Sequence, residues 1–282
     1  MENCDIIILA GQSNAEGYGL GEVSEEYEKD ARICWLNDNA APHFEKGENG
    51  KDVLRLKYPA ETEITIADEP EKENGKVGKL ALFFAKNYVE KGMLSPGRRL
   101  LIVNAAVGGT GFARKEWGVG NVLYERLCFL TDAALDAALD GAKNSRIAAF
   151  LWHQGECDSV ENAQYTALER YETHKCDLTA MLKDFKQRYA ANIAENLPII
   201  AGGFCDEWYL KNKAPCDAVL QAVKETAESF GGAFVETNGL LSNNQKVKNG
   251  DDIHFCRESL HILGARYFEA FVRCVKKNNE SV

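Results

Sequence analysis

The chain has 282 residues, with 33 Lys and Arg against 43 Asp and Glu, a formal net charge of −10, and 45% hydrophobic residues. That is globular composition with enough apolar material for one sizeable α/β core, and its acidic balance, with no dense Lys/Arg cluster to offset it, repels nucleic acid and anionic membrane surfaces. The nine cysteines, at 4, 34, 128, 157, 176, 205, 216, 256 and 274, contain no CxxC pair, so neither a zinc ribbon nor a thioredoxin-like motif is present.

Met1-Glu2-Asn3-Cys4-Asp5 leads straight into the apolar run Ile6–Ala10, with no basic n-region and no small-residue cleavage site. That run is too short to span a bilayer. With scattered, odd-numbered cysteines, these features predict a reduced, cytoplasmic protein. In chain order, strands are predicted at Asp5–Leu9, Arg32–Leu36, Arg99–Asn104, Arg146–Trp152, Pro198–Ala201 and Ala233–Glu236. Most are nearly continuous in apolar character, as strands buried on both faces should be. Helices are predicted at Lys79–Lys91, Asn121–Ala142, Glu161–Tyr189, Asp217–Phe230 and Arg257–Lys277, from apolar residues recurring at helical spacing. The alternation predicts a doubly wound, three-layer α/β/α sandwich with a mostly parallel sheet, all in one domain spanning 1–282. The polar, turn-rich stretch at about 37–76 is expected to be a long irregular excursion beside the substrate site.

Ligands of open parallel sheets bind at the carboxyl ends of the strands, so the segments that follow strands are the candidates. The first is Gly11-Gln12-Ser13-Asn14-Ala15-Glu16-Gly17. A serine on such a turn presents its hydroxyl while nearby N–H groups face an oxyanion; a plain helix N-cap explains the same residues. The GxSxG elbow is excluded, because Ala15 stands where its second glycine belongs. The second is Ala105-Ala106-Val107-Gly108-Gly109-Thr110-Gly111, whose glycines let backbone approach a ligand. A simple turn is the alternative, and the Lys-Ser/Thr of a phosphate loop is missing.

The third candidate is Trp152-His153-Gln154-Gly155-Glu156-Cys157-Asp158, where a side-chain amide is available as an oxyanion donor. A structural polar network is the blander reading there, and a metal site is the weaker one. The fourth is Gly250-Asp251-Asp252-Ile253-His254, an acid three residues before a histidine, suited to fixing the imidazole tautomer. Asp252 competes with Asp251 for that role. His43, His174 and His261 are expected at surface or satisfied core positions.

Taken in order, the four segments resemble the block pattern of SGNH hydrolases. Within these they resemble carbohydrate esterase family 6, which includes acetylxylan esterases and is related to sialate O-acetylesterases. GQSN at Gly11–Asn14, VGGT at Val107–Thr110 followed by Trp117, WxQGExD at Trp152–Asp158 and DxxH at Asp251–His254 carry the likeness. The resemblance implies an SGNH fold with a flavodoxin-like sheet, and a serine esterase that removes acetyl groups from carbohydrate. Ser13 would be the nucleophile, His254 the general base and acid, and Asp251 its orienting partner. The oxyanion hole would come from the Ser13 N–H, a Gly108 or Gly109 N–H, and the Gln154 side chain. Gln12, Asn14, Trp117, Glu156 and Asp158 would support the site or the substrate.

No metal or cofactor is implied, and the expected partner is an acetylated carbohydrate. A sialate or other short-chain ester is the nearest rival substrate. A catalytically silent carbohydrate-binding module is the rival of another class, against which the intact Ser13, Asp251 and His254 set argues.

Overall fold

In a computed structural model of the chain, the described residues are 3–38, 42–47, 52–55, 61–69, 79–139, 144–194 and 197–279. They form the strands β1 (Asn3–Gly11), β2 (Ile33–Asp38), β3 (His43–Lys46), β4 (Asp52–Arg55), β5 (Thr62–Ile66), β6 (Arg98–Asn104), β7 (Arg146–His153), β8 (Ile199–Gly202) and β9 (Ala233–Val235). The main helices are α2 (Leu80–Glu90), α3 (Val122–Leu139), α5 (Ala167–Arg188), α7 (Lys213–Ser229) and α9 (Arg257–Asn279). The short ones are α1 (Ser13–Glu16), α4 (Glu156–Val160), α6 (Asp206–Lys211) and α8 (Asn243–Val247).

Seven strands form one sheet in the order β5-β2-β6-β1-β7-β8-β9, parallel throughout except for β5, which runs antiparallel to β2 at the edge. Successive side chains of a strand point to opposite faces, and β1 shows the consequence. Ile6, Ile8 and Ala10 enter one buried cluster with residues of α3, α5 and α7, whereas Ile7 and Leu9 enter another with residues of α2 and α9. The result is the expected three-layer α/β/α arrangement. No helix among the described residues is long and apolar enough to cross a membrane.

All six strands read from the apolar runs are present, and the five long helices are too, with ends that move by a few residues. Helix α5 starts at Ala167 rather than Glu161, because Thr166 and Glu169 form a capping box there. Helix α7 starts earlier than expected, at Lys213, since Pro215 falls in its first turn, where a missing N–H costs nothing. The 37–76 stretch corrects an expectation, because it is not wholly irregular. It holds the antiparallel β3–β4 pair and the edge strand β5, whose half-exposed face lacks the continuous apolar signal of the buried strands. Residues 39–41, 48–51, 56–60 and 70–78 of that stretch lie outside the described residues.

The order of strands decides where the site lies. β6, β1 and β7 are neighbours, so the segments that follow them emerge side by side at one end of the sheet.

Candidate active site

β1 ends at Gly11, whose φ is +137° and where any Cβ would lie 2.0 Å from the His153 carbonyl oxygen of β7. Only glycine fits there. The chain turns at once, with the Gln12 N–H donating to His153 O at 3.0 Å, and Ser13 opens α1. As a first-turn residue, Ser13 has a backbone N–H with no partner inside the helix, and none is found among the described residues.

His254 Nε2 lies 2.9 Å from Ser13 Oγ, and His254 Nδ1 lies 2.9 Å from both carboxylate oxygens of Asp251. A carboxylate only accepts, so the ring proton sits on Nδ1, and Nε2 is left to accept from the serine hydroxyl. Burial pushes the Asp251 carboxyl up. The Asn243 amide and His254 outweigh that, and hold it below the usual carboxylate range. Asp252 points elsewhere, to Lys211 Nζ at 2.6 Å. Of the two competing acids, Asp251 is the one on the imidazole.

Asn14 and Asn243 build this geometry. Asn14 Oδ1 accepts the Phe255 N–H at 3.0 Å, and Asn14 Nδ2 donates to the Ile253 carbonyl at 3.2 Å and to Glu156 Oε1 at 2.8 Å. Asn243 Nδ2 donates to Asp251 Oδ2 at 3.0 Å and to Tyr18 O at 2.9 Å, while the Asn243 N–H donates to His254 O at 2.8 Å. The Tyr18 ring stacks on His254, centroids 5.1 Å apart. Neither Asn243 nor Tyr18 is among the residues that the sequence segments point to. Tyr18 lies between Gly17 and Gly19, and neither it nor Asn243 carries a local sequence signal for the site.

The loop after β6 is pinned at nearly every step. Glu16 Oε2 accepts the Gly108 N–H at 2.8 Å, Arg114 Nη1 donates to the Gly109 carbonyl at 2.9 Å, and Glu116 Oε2 accepts the Gly111 N–H at 2.9 Å. Thr110 Oγ1 donates to Val107 O and accepts from Trp117 Nε1. Gly109, at φ +72°, keeps an N–H with no partner among the described residues. Of the two glycines expected to serve an oxyanion, Gly108 is therefore engaged and Gly109 open.

Gln154 is the side chain that the resemblance assigns to the oxyanion hole. Its Nε2 donates to Asp158 Oδ2 at 2.9 Å and to Thr110 O at 3.2 Å, and lies 3.4 Å from Gln12 Oε1, in a buried position. With two hydrogens and three acceptors inside the protein, the amide is committed to holding the Thr110 carbonyl and the Asp158 carboxylate. Gln12 Oε1 also takes the Cys157 N–H. Asp158 gathers the Ala113 and Phe112 N–H groups and His174 Nδ1, which outweigh its burial and hold its carboxyl below the usual range. His174 is thus a core histidine, as expected. Glu156 is wholly buried, which raises its carboxyl to about 7, and neighbouring His153 is lowered to about 3.

Trp117 braces Thr110 and packs edge-on against Trp152 in the core. Trp35, Trp117, Trp152 and Trp208 are all buried.

Three solved structures share this fold. The crystal structure of NanS superposes with a TM-score of 0.69 at 18% identity, covering 98% of each chain. A protein from Arabidopsis thaliana, AT4G34215, gives 0.66 at 20% identity, over 97% of this chain and 99% of the other. XAC1771, a carbohydrate acetylesterase from Xanthomonas citri, gives 0.60 at 16% identity, over 95% of this chain and 56% of the other. No curated protein sequence matches the chain. Residues 3–273 match the model of the family described as carbohydrate esterase, sialic acid-specific acetylesterase, and the chain belongs to that family.

Proposed function

We propose that this protein is a serine esterase that removes O-acetyl groups from carbohydrate through an acyl-serine intermediate. The observation that carries the reading is the unbroken line from Asp251 through His254 to Ser13 Oγ, with 2.9 Å at each joint. A pure binding module has no use for that alignment.

His254 Nε2 takes the Ser13 proton as Oγ attacks the acetyl carbonyl, and Asp251 stabilises the imidazolium that forms. Negative charge moves onto the carbonyl oxygen, where the Ser13 and Gly109 N–H groups are the available donors. His254 then hands its proton to the departing sugar oxygen. A water activated by the same imidazole cleaves the acetyl-serine and regenerates the enzyme. No step calls on a metal or an organic cofactor.

Membership of carbohydrate esterase family 6, and acetylxylan as substrate, are the finer reading supported by the four sequence blocks. An O-acetylated sialic acid is the second reading, favoured by the family's own description. Hydrolysis of p-nitrophenyl acetate by wild type and by Ser13→Ala tests the chemistry. Acetate release from acetylated xylan and from O-acetylated sialic acid, run in parallel, decides the sugar. A Ser13→Ala protein that keeps its rate sinks the proposal.

A further inference from the structure

We infer that Phe44 on β3, backed by Arg114, is the platform on which the sugar ring of the substrate rests. This deepens the esterase reading and relies on it for the place where the acetyl group sits. The four tryptophans are buried, so none is a broadly exposed stacking surface. Phe44 is 44% exposed, and it is the one aromatic side chain in the exposed class among the described residues. An apolar ring left in water on a β-hairpin costs free energy that burial against a partner recovers.

Its position ties it to the reaction centre. The Arg114 guanidinium lies 5.8 Å from the Phe44 ring centroid, and Arg114 Nη1 donates to the Gly109 carbonyl at 2.9 Å. The exposed ring is therefore two short contacts from the glycine whose N–H stands open. A guanidinium that close to a ring face fixes the ring's place. Arg114 is itself held by Glu116 Oε1 at 3.2 Å, with Glu161 Oε1 at 4.0 Å, so its charge is already answered within the protein. The platform thus offers an apolar face rather than a free cation, which suits the C–H face of a pyranose. The acetyl ester lies at Ser13 and Gly109, and the ring that carries it extends over Phe44.

Binding to the Ser13→Ala protein tests this without any turnover, so the result does not depend on whether the esterase chemistry is right. Calorimetric titration uses acetylated xylo-oligosaccharide and O-acetylated sialic acid as the two probes. In the Ser13→Ala background, Phe44→Ala is expected to weaken the sugar that binds by about tenfold, and Phe44→Tyr, which keeps the ring, to restore it. In the Ser13-containing enzyme, Phe44→Ala is expected to leave p-nitrophenyl acetate hydrolysis within about twofold. Equal affinity with and without the ring, or no binding of either sugar, overturns the platform. A parallel collapse of p-nitrophenyl acetate hydrolysis overturns it too, because Phe44 would then act on the oxyanion loop through Arg114.

Discussion

Asn14 clasps His254 from both sides, accepting the N–H of Phe255 at 3.0 Å and donating to the carbonyl of Ile253 at 3.2 Å. Asn14, beside Ser13, thereby sets where the His254 imidazole stands, although Asn14 and His254 are 240 positions apart in the chain. Replacing Asn14 with Ala removes the clasp while keeping the side chains of Ser13, His254 and Asp251. Misplacement of about an ångström costs on the order of a hundredfold. The expected result is a kcat on p-nitrophenyl acetate lower by about ten- to a hundredfold with KM little changed. An unchanged kcat contradicts the clasp.

The two neighbouring acids should behave oppositely. Asp251→Asn leaves the shape intact but spoils the tautomer, which in such triads lowers kcat on the order of ten thousandfold. Asp252→Asn should change kcat by less than about twofold, since Asp252 pairs with Lys211 and surface pairs contribute little. Steady-state kinetics of both variants checks this, and a severe loss in Asp252→Asn would reverse the assignment.

Glu156 gives a stability signature with a definite sign. Burial raises its carboxyl to about 7, so the folded state holds a proton that the unfolded chain releases near its ordinary value of 4.5. The contribution to stability is full below about 4.5 and is lost as pH rises through 7. Glu156→Gln keeps an acceptor for Asn14 and cannot ionise. Urea unfolding should find the variant more stable than wild type at pH 8, by on the order of 3 kcal/mol at most, with the gap closing at pH 5. A gap independent of pH rules out the buried acid as its source.

Glu69 should show the reverse. It accepts from Arg257 Nη2 at 2.8 Å and His261 Nε2 at 2.7 Å, tying the segment after β5 to α9. Burial pushes its carboxyl up, but His261 and Arg257 outweigh it and hold it below the usual range. That stability is present above the ordinary carboxylate pKa and is lost as pH falls through the lowered folded value. Glu69→Ala should cost about 3 kcal/mol at pH 7, since it leaves Arg257 buried without this partner. The difference from wild type should shrink on acidification, as followed by urea unfolding at pH 7 and pH 3.

The buried parallel strands were legible because Ile6–Ala10 and Arg146–Trp152 are apolar on both faces. The edge strand Thr62–Ile66 was not, because half its face meets water and its residues look like loop. Ser13, Asp251 and His254 stand out only because the four segments together resemble the blocks of a known family; each segment alone has a plain structural reading. For Asn14 and Glu156 the sequence suggests no more than support, and the fold gives them particular partners by joining position 14 to positions 156, 253 and 255. A side-chain amide has no direction in sequence; the donors of Gln154 turn toward Asp158 and Thr110. Asn243 carries no local signal, since its partners Asp251 and Tyr18 meet it only in three dimensions.

The most direct test of the central claim is to trap the intermediate. Wild-type protein mixed with p-nitrophenyl acetate and quenched in acid within the first turnover should carry one acetyl group on the peptide containing Ser13, seen by mass spectrometry, and Ser13→Ala should carry none. Acetate turnover with no adduct at Ser13, or an adduct on another residue that survives in Ser13→Ala, would contradict an acyl-serine mechanism at this site.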